Sequence, residues 1–122
     1  MKTPSEIAAD YIAVWNEADA ARRAERLNAQ WSAEATYVDP LAKVAGRAEI
    51  GGLIGAVQAQ FPGLRFRPLG AADGHGDYVR FSWGLGPDDG EPLAKGSDVV
   101  KLDGGRIASV IGFLDLVPGQ AS

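Results

Sequence analysis

The chain has 122 residues, the size of one domain spanning 1–122, and 46% of them are hydrophobic, enough for a packed core. Lysine plus arginine number 12 against 16 aspartate plus glutamate, a formal charge of -4, so a basic nucleic-acid footprint is not expected. Cysteine is absent and histidine occurs once, at His75, which excludes disulfides, thiolate nucleophiles and metal cages built on cysteine or several histidines.

The N-terminal stretch "MKTPSEIAAD" lacks an apolar run of signal-peptide length. No stretch approaches the roughly 18 consecutive apolar residues of a membrane span. The expectation is a cytoplasmic protein without membrane or nucleic-acid partners. "TPSE" reads as a helix start: Thr3 caps, Pro4 suits the first turn and Glu6 completes a capping box. Ile7, Tyr11 and Trp15 then recur every fourth residue, with Ala8 and Ile12 beside them, giving one apolar face. Asp19 can cap a second helix whose inner face runs Ala20, Ala24, Leu27 and Trp31, leaving Arg22, Arg23 and Arg26 in solvent.

"ATYVDP" follows, a strand from Ala35 to Asp39 that Pro40 stops. A third helix is expected after Gly46, since Ile50, Leu53, Ile54, Val57 and Phe61 fit helical spacing and Pro62–Gly63 end it. Gly51, Gly52 and Gly55 cost that helix roughly 1 kcal/mol each relative to alanine and read as points of close packing. The second half reads as strands. Leu64–Ala72 is one, with "DGHGD" as its turn and His75 solvated there. Tyr78–Gly86 alternates sharply: Val79, Phe81, Trp83 and Leu85 share one face, and Tyr78, Arg80, Ser82 and Gly84 the other. Ala94–Leu102, a "DGG" hairpin and Arg106–Leu116 complete the run. Asp88 and Asp89 look like loop solvation rather than a metal site, and no metal or cofactor is expected.

This order predicts an α+β fold: three N-terminal helices packed on a conical, curved antiparallel β-sheet that encloses an apolar cavity. Three polar residues have registers that point inward. Asp39 either caps the turn after Val38 or faces the cavity, and its shared face with Tyr37 favours the second. Asp98 shares parity with Val100 and Leu102, so it must be neutral or paired with a cation. Tyr11 is buried by its spacing and its hydroxyl needs a partner. Trp15, Trp31, Tyr37, Phe61, Phe81 and Trp83 supply core or cavity wall, with Phe81 and Trp83 narrowing the cavity.

The segments "YIAVWNEAD", "WSAEATYVDP", "GRAEIGGLI" and "KGSDVVKLDGGRIASVIGF" resemble, in this order and over about Ser5 to Leu116, the nuclear transport factor two-like superfamily. That superfamily includes ketosteroid isomerases, SnoaL-like polyketide cyclases and limonene epoxide hydrolase. The resemblance implies a cofactor-free enzyme that transfers a proton next to a carbonyl of an apolar small molecule. On it, Asp39 looks like the proton-shuttling base. Tyr11 and a protonated Asp98 look like the pair that holds the enolate oxygen, as ketosteroid isomerases hold one carboxylic acid neutral. It also implies a homodimer formed through the open sheet face, lined by Tyr78, Arg80 and Ser82. Two rival readings are a non-catalytic binding or interaction module of the same fold, and epoxide opening by activated water. No arginine is spaced to sit between Asp39 and Asp98 as the latter requires. The third helix carries no tyrosine, and Trp83 stands where a smaller residue is usual, which argues against a full steroid.

Overall fold

Thr3 and Glu6 form the expected capping box at the start of α1 (Pro4–Asn16). The Thr3 hydroxyl accepts from the Glu6 amide at 3.1 Å and the Glu6 carboxylate accepts from the Thr3 amide at 3.0 Å. The computed structural model to which these contacts belong describes residues 2–117. Asp19 caps α2 (Ala20–Gln30) through the Arg22 amide. The inner face of α2 differs from expectation: Leu27 and Arg23 are buried, Ala20 and Ala24 are exposed, and Trp31 already belongs to the following strand. Arg23 turns inward because the carbonyls at the end of α1 need donors. It donates to the Glu17 carbonyl at 2.9 Å and to the Gln58 side chain at 3.0 Å.

β1 (Trp31–Val38) starts earlier than its sequence suggests and pairs antiparallel with a short strand that sequence reasoning missed, β2 (Lys43–Ala45). Gly46, at φ 87°, makes the turn into α3 (Arg47–Gln60), a conformation that favours glycine. Ile50 and Ile54 of α3 are fully buried. Two of its glycines are close-approach points: a Cβ would lie 3.3 Å from Leu27 at Gly51 and 3.1 Å from the Arg23 guanidinium at Gly55, whereas Gly52 meets nothing.

The remaining strands are β3 (Arg65–His75), β4 (Tyr78–Gly86), β5 (Ala94–Asp103) and β6 (Arg106–Leu116). β3 runs three residues further than expected, to His75, with a register shift between Leu69 and Asp73, so the turn shrinks to Gly76–Asp77. The six strands among the described residues lie in the order β2-β1-β6-β5-β4-β3. All neighbours are antiparallel except β1 and β6, so the sheet is mixed rather than wholly antiparallel. The cause is topological. After α3 the chain enters at the far edge and meanders back, and its last strand arrives alongside β1 in the same direction. The sheet is curved and open, and its inner face carries the core with the helices. The chain is thus α+β, as expected. No helix among the described residues is long and apolar enough to cross a membrane.

Candidate active site

A cavity of about 290 Å³ lies between the helices and the inner face of the sheet. Its walls are largely aromatic and aliphatic. Among the described residues the only charged groups on it are Asp39 and Asp98, and no lysine, arginine or histidine lines it. Tyr11, Trp15, Tyr37, Phe61 and Trp83 line it, as does Phe66, which sequence reasoning passed over. Phe66 packs edge-on against both Trp15 and Trp83, at centroid distances of 5.4 and 5.3 Å.

Helix α1 delivers Tyr11 and strand β5 delivers Asp98 to one spot. The Tyr11 hydroxyl donates to Asp98 Oδ2 at 2.6 Å, and the two residues are 3% and 2% exposed. Burial raises the Asp98 carboxyl, hydrogen bonding from Tyr11 and Trp83 pulls it down, and the nearby Asp39 charge raises it, for a pKa of about 6. Burial and the Asp98 charge push the Tyr11 phenol well above its ordinary range, so it keeps its proton. Trp83, on β4, stands beside the Asp98 carboxyl. Its ring lies flat on β5 because Gly96 is beneath it: a Cβ there would fall 2.2 Å from the indole.

Asp39 comes to the same wall from the end of β1. Val38 is paired with Ile111, and Gly112 with Asp98, so Asp39, Gly112 and Asp98 follow one another across β1, β6 and β5. Gly112 is where the two acids close over the backbone of β6, leaving no room for a side chain. A Cβ on it would lie 2.8 Å from Asp98 Oδ1 and 3.3 Å from Asp39 Cβ. Asp39 does both things its sequence allowed. Its Oδ1 accepts from the Leu41 and Ala42 amides at 2.8 Å each, capping the turn. Its Oδ2 accepts from the Tyr37 hydroxyl at 2.6 Å on the cavity side. Burial and that bond to Asp39 hold the Tyr37 phenol above its usual range.

Two expected wall residues lie elsewhere. Trp31 and Phe81 are buried in the core behind Tyr11, at ring distances of 5.8 and 5.0 Å from it, and neither lines the cavity. Their registers point inward as predicted. However, Tyr11 stands between them and the open space, so Trp83 alone of the β4 pair narrows it. Gly112 was missed, although an inward-register glycine between Val110 and Leu114 in a strand is a recognisable sign of close approach. His75 is exposed at the end of β3, and Asp88 and Asp89 are exposed in the loop after β4. Among the described residues no cluster of three metal-ligating side chains occurs.

The three helices and the curved, unclosed mixed sheet, with an apolar cavity between them, are the fold of the ketosteroid isomerase-like proteins. The SnoaL-like domain family matches residues 8–110, and the chain belongs to that family. A solved structure of a candidate isomerase of the SnoaL-like family from Agrobacterium tumefaciens is 45% identical, with 93% of this chain and 99% of that chain covered and a TM-score of 0.88. A protein of ketosteroid isomerase-like fold from Catenulispora acidiphila, solved with trimethylamine, is 23% identical over 90% of this chain and 85% of that one, with a TM-score of 0.72. A candidate polyketide cyclase from Sinorhizobium meliloti is 18% identical over 88% and 93%, with a TM-score of 0.68. These two share the fold. No match was found among curated proteins.

Proposed function

We propose that this protein is a cofactor-free enzyme that moves a proton beside the carbonyl of a small apolar molecule, as an isomerase or cyclase does. The observation that carries the reading is the buried Tyr11–Asp98 pair on the wall of an apolar cavity, with Asp39 across Gly112. A carboxyl with a pKa of about 6 is close to balance near neutral pH, where a general acid–base must both take and return a proton. Asp98 takes the proton from the carbon next to the carbonyl. The electrons of that C–H bond move into the carbonyl to give the enolate, and Asp98 returns the proton to a carbon of the same or the conjugated position. The reaction is redox-neutral and needs no electron carrier. Tyr11 fixes the carboxyl, and the Trp83 indole N–H is the donor within reach of the developing oxygen.

The superfamily resemblance gives the proton to Asp39 and makes Asp98 the neutral donor. The hydrogen bonds favour the reverse. Asp39 already accepts three, from Tyr37, Leu41 and Ala42, out of about four lone-pair positions on a carboxylate. Asp39 then acts as a fixed charge that keeps Asp98 basic. The partner side of the proposal is a homodimer through the outer sheet face, where Ile111 and Phe113 are 48% and 56% exposed on an interior strand.

The test is hydrogen–deuterium exchange of carbonyl compounds small enough for the cavity, followed by NMR. Catalysed exchange should rise with a midpoint near pH 6. It should vanish in Asp98→Asn, and its midpoint should move upward in Tyr11→Phe, which removes a bond that holds the carboxyl down. Exchange no faster than buffer, or undiminished in Asp98→Asn, would overturn the reading.

A further inference from the structure

Leu41 is 81% exposed, yet it lines the cavity. A lone exposed leucine means little. Two observations set this one apart. The first is its place. Of the described residues that line the cavity, only Leu41, Ala56 and Gln60 are exposed, so the cavity meets solvent between the β1–β2 turn and the C-terminal half of α3. Ala56 and Gln60 are one helical turn apart and share a face of α3. The second is that the turn carrying Leu41 is pinned. The Asp39 amide donates to the Ala42 carbonyl at 2.9 Å, and Asp39 Oδ1 accepts from the Leu41 and Ala42 amides at 2.8 Å each. The leucine is thus held at the mouth by a carboxylate that stands on the cavity wall. Its side chain takes no part in the buried core, so its apolar area is left for whatever enters.

We infer that Leu41 is a specificity-determining residue: it covers the part of the substrate farthest from the carbonyl and selects molecules whose apolar tail runs out of the cavity past the β1–β2 turn. The inference rests on the proposed reading, which puts the carbonyl end of the substrate at Asp98. A short tail ends inside the cavity and leaves Leu41 in water. A longer one lies against Leu41 on one side and Ala56 on the other, and each CH2 so removed from water is worth about fourfold in affinity. The backbone bonds to Asp39 fix the turn before anything binds, so covering the tail carries little ordering cost. No charged group lines the cavity besides Asp39 and Asp98, so the tail that fits is uncharged.

The experiment is a tryptophan-fluorescence titration, since Trp15 and Trp83 line the cavity. The probes are straight-chain methyl ketones, from methyl ethyl ketone to methyl octyl ketone. Affinity in the wild type should climb about fourfold per added CH2 along the series. Leu41→Ala should match the wild type for the short ketones and fall behind by about tenfold for the longest, because only those reach the mouth. Leu41→Phe should keep the climb. Both variants change a side chain that stands in solvent, so both should fold. A flat wild-type series, no binding at millimolar concentration, an equal loss at every chain length in Leu41→Ala, an undiminished climb in that variant, or a lost climb in Leu41→Phe would overturn the assignment. So would a change of sedimenting mass in Leu41→Ala, which would give Leu41 to a protein contact. Affinity is read without turnover. A lost chain-length effect with catalysed exchange intact sinks this inference only, and lost exchange with the chain-length effect intact sinks the enzymatic reading only.

Discussion

Burying Asp98 leaves a signature in stability as well as in chemistry. Its folded pKa of about 6 stands above the ordinary carboxylate value of 3.8. Between those values the folded chain holds a proton that the unfolded chain has released. Stability from this residue is therefore fully present below about pH 4, falls as pH rises and levels off above the folded value near 6. The difference is on the order of 3 kcal/mol by linkage, since each tenfold change in an ionisation constant corresponds to about 1.4 kcal/mol. Asp98→Asn keeps an acceptor for Tyr11 and removes the titration. Urea unfolding at a series of pH values should show the variant gaining stability on the wild type across that window. The comparison must be variant against wild type, because hydrogen-bonded Glu6 and Glu17 have lowered values and act with the opposite sign. Parallel stability curves for the two proteins would mean that Asp98 is ionised at no cost and that burial does not set its state.

At the scale of elements, helix ends explain where sequence reading held and where it slipped. The capping box of α1, the start of α3 after Gly46 and the bounds of β4 and β6 were legible because their signals are local: cap residues, a turn glycine and period-two alternation. Arg23 was not, because its role is set by elements distant in sequence. α1 has no basic residue in its last turn, and its end is capped from outside by Arg23 and by Gln58, whose amide donates to the Trp15 and Glu17 carbonyls at 2.9 Å each. α2 is closed likewise by Arg47, which donates to the Trp31 carbonyl at 2.6 Å and to the Asn28 carbonyl at 3.2 Å. Gly112 marks a close approach in its own strand, but what approaches it was illegible for the same reason. Its meaning depends on β1 arriving parallel beside β6, and no local pattern announces that pairing. The site acids were legible because a carboxylate on an apolar register is conspicuous wherever it falls. The consequence for Arg23 can be measured. Arg23→Met should cost about 2 kcal/mol, since it strands the Gln58 side-chain oxygen and leaves the Glu17 carbonyl to Gln58 alone, whereas exposed Arg22→Ala should stay within about 0.5 kcal/mol. Equal losses in urea unfolding would show the Gln58 oxygen to be satisfied by water.

The whole molecule presents two unlike faces of one sheet. The inner face is covered by helices and holds the cavity. The outer face is left bare, and its centre is apolar. Val38 is paired with Ile111, and Ile111 with Val99, so three branched side chains form a row across β1, β6 and β5. Phe113 stands next to that row on β6, 56% exposed. Arg80, opposite Val99, is bonded to Asp73 at 3.3 Å and supplies a polar rim. An apolar centre with a polar rim is the anatomy of an interface, and a second copy related by a twofold axis would lay the same row against itself. Tyr78, Arg80 and Ser82, which the alternation of β4 marks for this face, sit towards one side of it rather than at the centre, because β6 lies further inside the sheet than β4. Sedimentation at micromolar concentration should give the mass of a dimer. Ile111→Asp should convert it to monomer, raising the dissociation constant by about a hundredfold or more, as a charge in the middle of a desolvated patch does. Far-ultraviolet circular dichroism should not change, because the side chain points away from the core. Catalysed exchange should also persist, because the cavity lies on the helix-covered face of the sheet. A wild-type chain that sediments as a monomer, or an Ile111→Asp variant that remains a dimer, would move the interface off this face.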